Sequence, residues 1–131
     1  MYLYQLFAGA SEWVRKAEAK YSVRSQGNLP YGELLFASRP TNDSIGDAVK
    51  SWMAEAALYD YNRPGYSEKT ADFTQLVWKS STQVGCAQDE LPAGTEIAPA
   101  PSTFVVCRYS PAGNTASDQF AANVGRPRAQ V

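Results

Sequence analysis

The chain contains no histidine at any of its 131 positions, so no imidazole is available as a general base, a nucleophile's partner or a metal ligand. It has two cysteines, Cys86 and Cys107, without CxxC spacing. That excludes a thioredoxin-like centre and a structural zinc site built on nitrogen and sulfur donors. An excess of charge of one sign is also lacking. Twelve Lys and Arg stand against 13 Asp and Glu, for a formal charge of -1, and the basic residues are scattered. Such a surface gives no footprint for a phosphate backbone, and nucleic acid is not an expected partner. Gly65, Gly85 and Gly113 are isolated, outside any GxxxxGK or GxGxxG motif, so there is no nucleotide loop. No apolar run is long enough to span a bilayer. The segment YLYQLFAGASEW after Met1 is too short and follows no positive leader.

The composition that remains is that of one domain. A chain of this length with 44% apolar residues can bury roughly two-thirds of its unfolded surface. We therefore expect a single domain over residues 1–131, with 1–10 an atypical N-terminal segment and 125–131 a polar tail. The start is compatible with a mature form carrying an added Met or with a cytosolic protein. Asn42-Asp43-Ser44 fits the glycosylation acceptor pattern, which acquires meaning only in the secretory pathway.

Periodicity predicts a helix over Ser11 to Tyr21, with Val14, Ala17 and Tyr21 near one face. Ser22 to Asp43 reads mostly as loop, with a short helical stretch around Leu34 to Ser38. Asp47 to Tyr59 is the clearest helix, with an apolar stripe of Val49, Trp52, Met53, Ala56 and Tyr59 and a capping-box pattern in Ser44 and Asp47. Thr70 to Lys79 reads as a helix burying Phe73, Leu76 and Val77, with a strand as the alternative. Gln83 to Gln88 and Thr103 to Tyr109 read as a hairpin across a long linker, and Phe120 to Val124 as a last packed segment.

Several residues carry chemistry. Cys86 and Cys107 lie in strand-like runs, where neighbouring antiparallel strands bring such positions within disulfide reach; two buried free thiols are the alternative. Glu55 shares a helix face with Trp52 and Tyr59. Desolvation there would raise its pKa into a useful range, or the carboxylate is structural and bonded to the loop holding Tyr31 and Gly32. Ser80, Ser81 and Thr82 have no histidine to activate them. Eight Tyr, three Trp and five Phe would form either core or an aromatic-lined groove for a lipid or protein. Tyr2, Tyr4 and Phe7 make a dense apolar start that must dock, pair or stay exposed.

Two segments, Ala71 to Ala87 (ADFTQLVWKSSTQVGCA) and Phe104 to Asn114 (FVVCRYSPAGN), follow YGE at Tyr31 to Glu33 and WMAEAALY at Trp52 to Tyr59 and precede FAANV at Phe120 to Val124. In this order they closely resemble the CAP superfamily, the cysteine-rich secretory, antigen 5 and pathogenesis-related 1 group, and most of all its fungal pathogenesis-related 1-like secreted members. The resemblance implies an α/β fold, an α-β-α sandwich, here N-terminally shortened and lacking the usual leading helix. It also implies an extracellular protein with a central cleft of two glutamates and two histidines. Residue by residue, that cleft becomes Tyr21, Glu33, Glu55 and Asp72, with Tyr21 and Asp72 standing where the family carries histidine.

Loss of both histidines argues against the metal-dependent activities proposed for the family. The remaining donors are oxygens, which would suit a hard cation better than zinc or copper. The adopted reading is a cleft tied into internal hydrogen bonds, with no resident metal or cofactor. Sterol binding in fungal relatives is associated with the loop after the first glutamate, which implies ligand contacts from Leu34, Leu35 and Phe36. The function implied is a secreted, non-enzymatic module that binds a sterol or related small hydrophobe. The alternative is an effector-like module that recognises a host or other secreted protein through Tyr2, Tyr4 and Phe7.

Overall fold

The computed structural model describes residues 30–38, 45–91 and 102–128. Strand β1 (Gly32–Ser38) leads to helix α1 (Ile45–Ala54), which tightens into a 3-10 turn (Glu55–Leu58). Helix α2 (Ala71–Val77), strands β2 (Gln83–Leu91) and β3 (Ser102–Ser110), a second 3-10 turn (Ser117–Gln119) and helix α3 (Phe120–Asn123) complete the order. The expected helix over Ser11 to Tyr21, the capping residue Ser44 and the N-terminal Tyr2, Tyr4 and Phe7 lie outside the described residues.

The three strands form one antiparallel sheet in the order β1-β3-β2, with β3 in the centre. Its register decides the side-chain layers. Leu34 faces Cys107, Phe36 faces Val105 and Gly32 faces Tyr109 across β1 and β3. Alternation puts this set on one side of the sheet. There it packs with Ala48 and Trp52 of α1 in one core cluster. Glu33, Leu35 and Ala37 alternate to the other side, opposite Arg108, Val106 and Phe104. Both sides of β3 are dry, since Val105 and Phe104 alike have no exposed surface.

The expected loop and helical stretch over Leu34 to Ser38 is corrected by this ladder. Glu, Leu and Ala favour helix locally, but every residue from Gly32 to Ser38 is paired with β3. Tertiary pairing overrides so weak a local preference. The hairpin strands run longer than the sequence suggests and shorten the linker from both ends.

Helix α1 buries Ala48 and Trp52, four residues apart, while Met53 stays 42% exposed. The helix does not continue to Tyr59. Tyr59 takes an extended conformation and drops into a second cluster with Phe73, Trp78, Phe120 and Val124. Trp78 meets Phe120 edge-on at 4.9 Å between centroids, a favoured aromatic geometry. The C-terminal segment is therefore a packed wedge, as expected for Phe120 to Val124. Burying Phe120 alone stabilises the fold by about 2 to 3 kcal/mol.

Helix α2 matches the expected position but buries Phe73, Thr74 and Gln75, with Leu76 and Val77 only half-buried. Gly32 is required by close approach. A β-carbon there would lie within bonding distance of the Gln75 side chain.

Candidate functional site

Helix α2 begins without help from its own N-cap. Thr70 occupies that position, but its side chain makes no capping bond; its hydroxyl donates to the Ser67 carbonyl at 3.4 Å. The cap comes from Glu55 in the 3-10 turn. Glu55 Oε1 accepts the backbone N–H groups of Asp72 and Phe73, each at 3.1 Å. A carboxylate at this place satisfies two of the orphan donors of the first turn and complements the helix dipole.

Asp72, in the first turn of α2, puts a second carboxyl near enough to act on the first. Desolvation by burial, followed by the nearby Asp72 carboxyl, lifts the Glu55 pKa from 4.5 to about 7 against the opposing pull of the two backbone N–H groups. Desolvation and like charge win because the donors serve one oxygen while the whole carboxyl is part-buried. The alternative of a bond from Glu55 to the Tyr31–Gly32 loop gives way to these contacts with α2.

Glu33 goes elsewhere. Its Oε2 accepts from Arg108 Nε at 2.8 Å, and both side chains are only 2% exposed. Arg108 also donates through Nη1 to the Tyr31 hydroxyl at 3.0 Å, and its guanidinium lies 4.9 Å from the centre of that ring. Glu55 and Asp72 come together, while Glu33 pairs with Arg108 on the other side of β1 from Gly32. Tyr21 lies outside the described residues. Among the described residues no three His, Cys, Asp or Glu side chains are grouped so as to hold a metal ion.

Leu34, Leu35 and Phe36 belong to β1 instead of a loop. Leu34 is core, whereas Phe36 and Val49 pack against that core with part of their surface open. The Trp52 indole N–H donates to the Leu35 carbonyl at 3.1 Å and ties α1 to the strand. Ile45, Val49 and Met53 are spaced four residues apart on α1, an interval that puts them on one face of the helix. Ile45 is 37% exposed.

Three polar residues escaped the sequence reading. Gln75 accepts from the Gly113 N–H at 2.8 Å and donates to Ser81 Oγ at 3.1 Å. Ser81 in turn donates to the Pro111 carbonyl at 2.7 Å, so its hydroxyl is structural. Asn114, at φ 55°, donates to the Ala71 carbonyl at 2.9 Å and accepts from Thr74 Oγ1 at 2.7 Å. Asparagine tolerates this left-handed conformation better than most residues. Arg108 was detectable in principle, since it falls in phase with the apolar Phe104 and Val106 and demands an acid partner.

Cys86 and Cys107 face each other across β2 and β3 and form a disulfide, with S–S 2.09 Å. The free-thiol alternative is thereby closed. No helix among the described residues is long and apolar enough to cross a membrane.

The family model of the cysteine-rich secretory protein family, CAP, matches residues 2–109. Protein PRY2 of Saccharomyces cerevisiae is 39% identical over 108 residues, covering 79% of this chain and 30% of its own length. Repressed by EFG1 protein 1 of Candida albicans is 41% identical over 85 residues, 65% of this chain and 28% of that protein. Pathogenesis-related protein 1A1 of Solanum lycopersicum is 38% identical over 96 residues, 70% of this chain and 48% of that protein. The match thus spans less than half the length of each of these curated relatives. Among solved structures, BmVAL-1 superposes with a TM-score of 0.67 at 22% identity, over 95% of this chain and 64% of that one. Schistosoma mansoni venom allergen-like protein 4 gives 0.61 at 17% identity, over 94% and 72%. At such identity these structures show the fold alone, an α/β arrangement of helices about a sheet. With its order of motifs, cross-strand disulfide and sheet topology, the chain belongs to the CAP family of cysteine-rich secretory proteins.

Proposed function

We propose that the chain is a secreted, non-enzymatic CAP module that binds a sterol or related small hydrophobe along the margin between β1 and α1. The observation that carries this reading is the half-open packing of Phe36 and Val49, from β1 and α1, against the buried core of Leu34, Ala48 and Trp52. A flat apolar ligand laid there would gain roughly 25 cal/mol for each Å² of apolar surface removed from water. The ionisable side chains expected to line a reactive cleft are engaged internally, Glu33 with Arg108 and Glu55 with the start of α2. This arrangement supports binding in preference to catalysis. The disulfide suits an oxidising compartment, which supports secretion.

Equilibrium binding of a labelled sterol, with unlabelled sterol and fatty acid as competitors, tests the proposal. Saturable binding weakened by Phe36→Ala is expected. A second reading, recognition of a host or other secreted protein, draws on the exposure of Leu58 and Tyr66, at 65% and 61%. Tyr2, Tyr4 and Phe7 are its other proposed contacts. Folded protein that takes up no lipid would move the assignment to this reading.

A further inference from the structure

The Cys86–Cys107 bond joins an edge strand to a central one. Strand β3 has neighbours on both sides, whereas β2 is paired only with β3 among the described residues. The two sulfurs therefore differ in access. Cys107 is 1% exposed and stands opposite Leu34 of β1, itself buried. Cys86 is half-buried at the margin of the same core. Val84 and Gln88, which alternation puts beside it on the same face of the sheet, are both exposed.

We propose that Cys86 Sγ is a thiol-exchange site: a small-molecule thiol of the glutathione class adds to it from the open edge of β2 and is carried there as a mixed disulfide. Exchange begins with attack of a thiolate on one sulfur of the bond, and access helps decide which. The attacker arrives in line with the bond it breaks, on the side away from the leaving sulfur. For Cys86 that side is the free edge of β2; for Cys107 it is β1, where Leu34 stands. As the new sulfur–sulfur bond forms at Cys86, the old one breaks and its electron pair leaves on Cys107 Sγ. Cys107 shares a core cluster with Leu34, Trp52 and Val105. Apolar surroundings disfavour a thiolate, so the leaving sulfur takes a proton from water. One disulfide is exchanged for another, with no net oxidation or reduction.

The fold keeps the exchange reversible. Strand β2 stays in register through its ladder from Gln83 to Leu91, and Cys107 remains directly opposite Cys86. The freed thiol is thus held where it can attack the Cys86 sulfur, expel the small thiol and restore the original bond. Because Cys86 is half-buried between the side chains of Val84 and Gln88, a slender thiol reaches it more readily than a cysteine fixed in a folded protein. This inference is independent of ligand binding.

The test is exposure of the folded protein to glutathione at about pH 8, where part of the thiol is ionised. Acid quenching, alkylation of free thiols in denaturant and peptide mass mapping then locate the adduct. The proposal predicts glutathione on Cys86 in about tenfold excess or more over Cys107, with the alkyl label on Cys107. The rate should be flat in urea below the unfolding transition, since the folded chain is what reacts. Cys107→Ala and Cys86→Ala, each keeping one thiol, should differ in the same sense toward glutathione disulfide. Adduct on both cysteines alike or mainly on Cys107, a rate that climbs with urea along the unfolding slope, or no adduct until the chain unfolds would overturn the proposal. The wild-type measurement decides even where a variant fails to fold.

Discussion

Glu55 Oε1 accepts the backbone N–H of Phe73 at 3.1 Å across 18 residues of sequence. A helix start is thereby held by a side chain from another element, in place of the usual hydroxyl at the N-cap. Removing the carboxyl should cost what a lost cap costs. Glu55→Ala is expected to destabilise by about 1 to 2 kcal/mol in urea unfolding. Glu55→Gln, which keeps an acceptor, should lose less than half of that. Equal losses would show that charge, and not capping, is what Glu55 contributes.

The same residue sets a pH dependence whose sign follows from linkage. The folded-state pKa of Glu55 is raised from 4.5 to about 7, first by desolvation and then by Asp72. The folded state therefore binds the proton more tightly than the unfolded chain, and unfolding releases it. The contribution is present in full below pH 4.5 and is lost as pH rises through about 7. Other carboxylates also titrate near the lower end. The informative quantity is thus the stability of wild type minus that of Glu55→Gln, which should fall between these limits and level off above them.

Glu33 and Arg108 form a buried ion pair whose value lies in its completeness. Leaving either charge without the other should cost about 3 to 5 kcal/mol. Such a loss is comparable with the whole stability of many small domains. Glu33→Ala and Arg108→Ala should each unfold at much lower urea than wild type. The double change Glu33→Leu with Arg108→Met removes both charges and keeps much of the volume. It should recover most of the loss; a double variant as poor as the sum of the singles would mean that the two charges are not coupled and would contradict this account.

The Cys86–Cys107 disulfide closes a separation of 21 residues between paired strands. The chain-entropy estimate for a loop of this size is about 3 kcal/mol. Replacing both cysteines by alanine should lower Tm by about 10 °C in calorimetry. The loss should be the same for chemically reduced wild type, because the strands themselves are held by the ladder and the core.

Much of this fold was legible in the sequence because its signals were local. The runs VGCA and TFVVCRY alternate as strands do, and Trp52 with its neighbours repeats as a helix does. Strand β1 was not legible. GELLFAS has no strong strand propensity, and its conformation is imposed by β3. The same holds for the end of α1, where Tyr59 leaves the helix to join aromatic partners from distant segments. At the site, the resemblance brought Glu55 and Asp72 into one set, but it could not place Glu33. Its partner Arg108 is decided by strand register, in which Glu33 and Arg108 are paired directly. Gln75 was missed because an amide inside an apolar helical run looks like a surface residue until the close approach of Gly32 and Gly113 is seen.

The most direct test of the functional account is equilibrium binding of a labelled sterol to wild type and to Phe36→Ala, with circular dichroism showing that both are folded. The account predicts saturable, sterol-competed binding by wild type, weakened about tenfold by loss of the ring, as expected when 1 to 2 kcal/mol of apolar contact is removed. Folded wild type that binds no sterol, or a Phe36→Ala variant that binds as tightly, would contradict it.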